Sequence, residues 1–146
     1  MKDSSLSEKE LKILREAVDN ASIIVGEKRV KSDTIKELID ILENFIRSNK
    51  CLCYGGTAIN NILPEQDKFY NRNSEIPDYD FFCPDALQCA KKLADTFFKE
   101  GYTEIEAKAG IHNGTYKVYV NFIPLADITY LDKSLFNNLM KKSIKI

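Results

Sequence analysis

The 146-residue sequence has no apolar run close to the roughly 20 residues that a membrane-crossing helix requires, so no transmembrane helix and no membrane partner are expected. Its polar start, MKDSSLSEKE, lacks the apolar core of a secretory signal. Charge of one sign is missing too: 21 Lys and Arg against 22 Asp and Glu leave a formal net charge of -1. That balance argues against a surface built throughout for nucleic acid, while leaving room for a local basic groove. Histidine is almost absent, with His112 alone, and no histidine or second close cysteine pair stands at zinc-site spacing from Cys51 and Cys53. The four cysteines (Cys51, Cys53, Cys83, Cys89) therefore read as reduced, buried thiols of an intracellular protein. Neither G-x-x-x-x-G-K-[ST] nor G-x-G-x-x-G occurs, which excludes a P-loop and the dinucleotide fingerprint. There are no repeats and no low-complexity segments.

What is present, 44% hydrophobic and 29% charged residues, suits one globular domain with a core of its own. Residues 1–49 read as a helical segment and 50–146 as a mixed α/β unit. Ser7-Glu8-Lys9-Glu10 is a capping-box pattern ahead of an apolar stripe at Leu11, Leu14 and Val18. A break is expected around Gly26, then a second helix capped by Ser32 or Asp33. Its broad stripe (Ile35, Leu38, Ile39, Leu42, Phe45, Ile46) should pack on the body of the domain.

From Lys50 the pattern becomes strand, glycine turn, helix: Cys51 to Tyr54, Gly55-Gly56, then Thr57 to Leu63. The polar stretch Pro64 to Pro77 is long enough to suggest a functional loop. Asp78 to Cys83 reads as a strand, followed by a helix capped by Asp85 with Leu87, Ala90, Ala94 and Phe97 facing inward. Residues 103–109 and 115–122 alternate as a hairpin around His112-Asn113-Gly114. Pro124 interrupts the second run, Ala126 to Tyr130 reads as a further strand, and Asp132 can cap a closing helix through Leu135 and Leu139.

Asp78 and Asp80 are two apart on a strand, so both carboxylates face one side, with Tyr79 and Phe81 free to anchor the other side in the core. Their mutual repulsion is relieved best by a divalent cation, and magnesium suits carboxylates that leave room for water and phosphate oxygens. Alone, the pair reads equally as a solvated strand edge. Gly55 and Gly56 let the backbone approach a phosphate, with the helix dipole behind them and the Thr57 hydroxyl as a donor. Alone, they are a tight turn. Asp127 sits in an otherwise apolar run, costly unless paired or metal-bound. If its strand lies beside that of Asp78 and Asp80, the three form the cluster that two metal ions need to transfer a nucleotide from a triphosphate to a primer hydroxyl. Asp127 can then also serve as general base.

Gly55-Gly56, Asp78-Tyr79-Asp80 and Asp127, in that order, resemble the nucleotidyltransferase superfamily that includes DNA polymerase beta. Three segments, Tyr54 to Asn60, Ile76 to Phe82 and Tyr119 to Thr129, are similar to the poly(A) polymerase catalytic subunits of large cytoplasmic DNA viruses. The resemblance covers roughly residues 50 to 135. It implies an α+β fold: a nucleotidyltransferase-like mixed sheet with flanking helices, preceded by the N-terminal helical segment. It implies Asp78, Asp80 and Asp127 as catalytic metal ligands for two Mg2+ or Mn2+ ions, and Gly55, Gly56 and Thr57 as the nucleotide-binding turn. ATP is the implied substrate, an RNA 3' end the acceptor, and the infected host cytoplasm or virion the location. Such polymerases are much longer, so this chain is expected to be a fragment or reduced homologue that works with a further domain or a processivity subunit. Transfer to a protein or small molecule, or a silent binding module, are the alternatives.

Other features carry less. His112 is expected at a hairpin tip, Lys117 and Tyr119 share a strand face from which they can reach a phosphate or a base, and Phe97 and Phe98 read as core. Lys141, Lys142 and Lys145 read as a solvated face.

Overall fold

The computed structural model describes residues 7–71 and 75–145, with backbone alone for 26–31. Five helices and five strands follow one another as α1 (Glu8–Lys31), α2 (Asp33–Ser48), β1 (Leu52–Tyr54), α3 (Gly55–Ile62), β2 (Tyr79–Cys83), α4 (Ala86–Lys99), β3 (Ile105–Ala109), β4 (Thr115–Val120), β5 (Ile123–Tyr130) and α5 (Lys133–Lys141). The strands form one mixed sheet in the order β1-β2-β5-β4-β3. All neighbours are antiparallel except β2 and β5, which run parallel. This is the expected α+β architecture.

Packing follows the periodicities. On α2 the stripe Ile35, Leu38, Leu42 and Phe45 is buried, and on α4 Ala86, Cys89, Ala90, Leu93 and Phe97 are buried. Both helices lie on the face of the sheet that presents Tyr79, Phe81, Val118, Val120, Ala126 and Ile128, and together these side chains form the core. The Tyr79 hydroxyl donates to Glu43 on α2 at 2.7 Å and accepts from Asn61 on α3 at 3.2 Å, tying both helices to β2. Asp85 caps α4 by accepting from the Gln88 amide, and Asp132 caps α5 through the amides of Ser134 and Leu135. Ser7 and Glu10 make the reciprocal capping box, each accepting from the other's amide at 3.2 Å.

Several expectations need correction. Helix α1 runs through Gly26 to Lys31, and the break falls at Ser32, whose backbone is extended (φ -63°, ψ 132°). Its stripe residues Leu11, Leu14 and Val18 are all exposed. On α4 Ala90 and Phe97 are buried as expected, but Ala86 and Leu93 are buried in place of Leu87, which is exposed, and Ala94, which is only partly buried, and Phe98 points to solvent at 65% exposure. Pro124 does not end a strand: it lies within β5, exposed, at an irregularity opposite Tyr119 where the ladder slips. An edge or bulge position is where a strand tolerates the missing amide. The β4–β5 connection is a two-residue hairpin at Asn121-Phe122, both left-handed (φ 50° and 64°). Two positive φ values are the signature of the turn whose twist matches its strands.

Candidate active site

The second face of the sheet holds the polar residues. In β2, Tyr79 and Phe81 are buried while Asp80 between them is half-buried on the other side. In β5, Ala126 and Ile128 point to the core and Asp127 away from it. Because β2 and β5 are parallel neighbours, Asp80 and Asp127 are Cα partners. The row continues to both sides: Tyr54 pairs with Asp80 on β1, Lys117 with Asp127 on β4, and Lys108 with Lys117 on β3. Asp78 lies one residue before β2, on the same side as Asp80 by the two-residue period.

Lys117 forks Asp127, its Nζ 3.0 Å from both carboxylate oxygens. The lysine expected to reach a phosphate or base is thus an ion-pair partner of the third aspartate. Tyr119, on the same face, lies under the Lys108 ammonium, 5.2 Å from its ring centre. His112 is exposed at the β3–β4 tip.

The glycine turn is set by the same register. Tyr54 ends β1 opposite Asp80, so Gly55 begins α3 right beside that carboxylate. A Cβ on Gly55 would stand 2.8 Å from Asp80 Oδ2, and its φ of +77° is one that side chains disfavour. At Gly56 a Cβ would meet the Tyr70 hydroxyl at 2.5 Å, the tip of a residue that is 43% exposed. Thr57 is buried, and its hydroxyl donates to the Asp78 carbonyl at 2.8 Å. That hydroxyl, expected to bind phosphate, fixes the approach to β2 and holds Asp78 against the helix start.

These groups border a cavity of about 220 Å3, between the start of α3, Tyr70, the segment Glu75 to Pro77, and Asp78 and Asp80. The loop is pinned from below. Asn60 is 1% exposed, and its side-chain oxygen accepts from the amides of both Phe69 (2.9 Å) and Tyr70 (3.0 Å). Neither Asn60 nor Tyr70 was singled out by the sequence. The Asn60-Asn61 pair inside a short helix, followed by the aromatic pair Phe69-Tyr70 in a polar loop, was the only signal available.

Electrostatics mark the carboxylates as uneasy neighbours. Partial burial, then the charges of Asp127 and Asp80, push Asp78 up to about 6, with Lys117 pulling against them. The residue keeps exposed surface at the cavity mouth even though its carboxyl is flanked by protein, so desolvation here is incomplete. Asp80 is also raised, first by burial and then by Asp127. Hard oxygen donors that repel one another are a fitting donor set for magnesium. Among the described residues no three carboxylate, thiol or imidazole side chains converge closely enough to hold an ion as they stand. Asp127 is engaged by the Lys117 ammonium at 3.0 Å.

A glycine turn beside paired carboxylates on adjacent strands of a mixed sheet defines a nucleotidyltransferase-type domain. The comparisons make this specific. The chain belongs to the poly(A) polymerase catalytic subunit family, which matches residues 40–146. A relative bearing that name in African swine fever virus (strain Badajoz 1971 Vero-adapted) is 28% identical over 132 residues, covering 88% of this chain and 28% of its own. One from Acanthamoeba polyphaga mimivirus is 30% identical over 141 residues, covering 92% of this chain and 22% of its own. The crystal structure of the Megavirus polyadenylate synthase superposes with a TM-score of 0.79 at 24% identity, over 100% of this chain and 30% of that one. This chain therefore spans less than a third of the length of each of these proteins. No helix among the described residues is long and apolar enough to cross a membrane.

Proposed function

We propose that this domain transfers AMP from ATP to the 3' hydroxyl of an RNA, without a template, releasing pyrophosphate. The observation that supports it most directly is the register: Asp80 faces Asp127 across the parallel pair while Gly55 starts α3 against the Asp80 carboxylate. This juxtaposes an acceptor for metal ions with a backbone that can hold a triphosphate. In the reaction the 3' oxygen forms a bond to the α-phosphorus, the α–β phosphoanhydride bond breaks, and the hydroxyl proton leaves.

Asp78, Asp80 and Asp127 would hold two magnesium or manganese ions. Bound there, the ions would lower the pKa of the attacking hydroxyl and neutralise the departing pyrophosphate. The chain's own groups do the positioning. The Gly55-Gly56 amides and the α3 dipole receive phosphate oxygens, Thr57 holds Asp78 in place through its carbonyl, and Asp127, once released by Lys117, is placed to accept the acceptor proton. A further domain or subunit is the expected partner in binding the RNA and selecting adenine.

A second reading, a binding module without catalysis, draws on one observation: Lys117 occupies Asp127 where a metal ion is required. The experiment that decides uses the purified chain with each labelled nucleoside triphosphate, magnesium or manganese, and an oligoadenylate primer, beside an Asp78→Ala/Asp80→Ala control. Metal-dependent primer extension by the parent alone supports the polymerase. Label on protein without extension points to a different acceptor, and absence of any metal-dependent nucleotide binding sinks the enzymatic reading.

A further inference from the structure

Resting on the nucleotidyl-transfer reading, we propose that Tyr70 is a substrate-binding residue whose hydroxyl donates a hydrogen bond to the β,γ-phosphate part of the bound triphosphate, the part that leaves as pyrophosphate. The argument comes from how the two glycines are flanked. Gly55 is hemmed in by Asp80 and Gly56 by Tyr70, each glycine lacking the Cβ that its neighbour would strike. Along the turn the sequence of groups is therefore carboxylate, Gly55, Gly56, tyrosine hydroxyl. The carboxylates mark where the α-phosphorus reacts, since the metal ligands must reach both the attacking and the departing oxygen. Phosphates further along the substrate then run past Gly56 towards Tyr70.

Three further facts make this a placed group. The Tyr70 ring lines the same cavity as Gly56, Asp78 and Asp80. Its hydroxyl has no hydrogen-bond partner among the described residues, although its backbone is fixed. The fixing comes from Asn60, buried in the first helix after the turn, which accepts from the amides of Phe69 and Tyr70 together and couples the loop to the phosphate-binding helix. A donor whose backbone is fixed beside a helix start, with no partner among the described residues, matches an anionic oxygen. A structural role for the ring alone would leave the hydroxyl without purpose, and that difference is measurable.

The test compares the parent chain with Tyr70→Phe and Tyr70→Ala, reading equilibrium binding of ATP, inorganic tripolyphosphate, pyrophosphate and AMP in the presence of magnesium. Loss of one hydrogen bond to a charged group is expected to weaken tripolyphosphate and pyrophosphate about tenfold in Tyr70→Phe, ATP by the same factor, and AMP not at all. Where primer extension is observed, KM for ATP rises with kcat little changed, because the contact is present before and during transfer. An unchanged melting temperature for Tyr70→Phe shows that the fold is intact, and Tyr70→Ala adds the loss of the ring. Equal affinity of parent and Tyr70→Phe for tripolyphosphate overturns the proposal. So does a loss seen with ATP and AMP but not with tripolyphosphate, which would move Tyr70 to the base or ribose. If the parent itself binds neither ATP nor tripolyphosphate, the failure lies with the nucleotidyl-transfer reading on which this one rests.

Discussion

The two faces of the sheet are built from the same strands by opposite means. On the helix-covered face Phe81, Val118, Val120 and Ile128 are fully buried against Leu38, Leu42, Leu93 and Phe97, and shape complementarity does the holding. On the other face, one residue along each strand, stand Asp80, Asp127 and Lys117, half-buried and bound by charge. The period of two that places Phe81 in the core is what brings Asp80 to the site. Since a one-residue slip would exchange the faces, the core fixes the register of the carboxylate row. The covered face is thus the rigid base, and on the proposed reading the open face is where charge would be rearranged when a metal ion and substrate bind.

The largest effect that would break this comparison lies on the covered face. Phe97→Ala removes a fully buried ring at the centre of the core and is expected to cost about 3–5 kcal/mol of unfolding free energy. Denaturant titration measures it, and magnesium should offset little of the loss because no contact of Phe97 reaches the carboxylates. A loss below about 1 kcal/mol would mean that the core is not packed as described.

The faces also differ in how well the sequence announced them. Helix α2, the strand–glycine–helix unit and the caps at Ser7, Asp85 and Asp132 were legible because each depends on residues within a few positions. Asp127 could be picked out because a carboxylate in an apolar strand is conspicuous. What it faces was not legible, since the Lys117–Asp127 fork and the Asp80–Asp127 pairing are products of strand order. The same limit hid Tyr70 against Gly56, a contact made by a loop folding back over the helix start. Local rules also failed at two other places: Gly26 is carried inside α1, and the Asn121-Phe122 turn places a bulky, exposed Phe at positive φ, which no turn preference foretells. The error on α4 arose because Leu87 and Ala86 both fit an apolar stripe, and only the sheet decides which is buried.

The next prediction concerns proton linkage on the open face. Asp78 is held at about 6, above its ordinary 3.8, so the folded chain keeps a proton that the unfolded chain has released. Between pH 4 and 6 the folded state then binds more protons than the unfolded one, and this group's contribution to stability declines as pH rises through that window. Metal binding runs the other way, because the ion needs the ionised carboxylate. Magnesium affinity measured by calorimetry should therefore rise about tenfold from pH 5 to pH 7 and level off above, with protons released on binding in the lower range. Asp78→Asn should flatten the profile. A pH-independent affinity would show that Asp78 is not coupled to the site.

The smallest effect, and the sharpest on how the open face is held, comes from Lys117. Its ammonium lies 3.0 Å from both oxygens of Asp127, so it neutralises the carboxylate row without a metal and competes with one for the same oxygens. Lys117→Met keeps the length of the side chain and removes the charge. Without metal, Asp127 is then left beside Asp80 unbalanced, and the melting temperature in chelator should fall. With the competitor gone, magnesium affinity should rise about fivefold, the equivalent of roughly 1 kcal/mol for a partly exposed ion pair. Saturating magnesium should then recover most of the lost stability, because the ion supplies the positive charge that the lysine gave. Covered-face variants offer the contrast: their loss comes from absent contacts, which an ion cannot replace. Tighter metal binding with rescued stability would establish that the open face is an electrostatic device in which Lys117 and the metal alternate. Weaker binding, or a stability loss that magnesium leaves untouched, would instead make Lys117 a structural prop and place the two faces on the same footing.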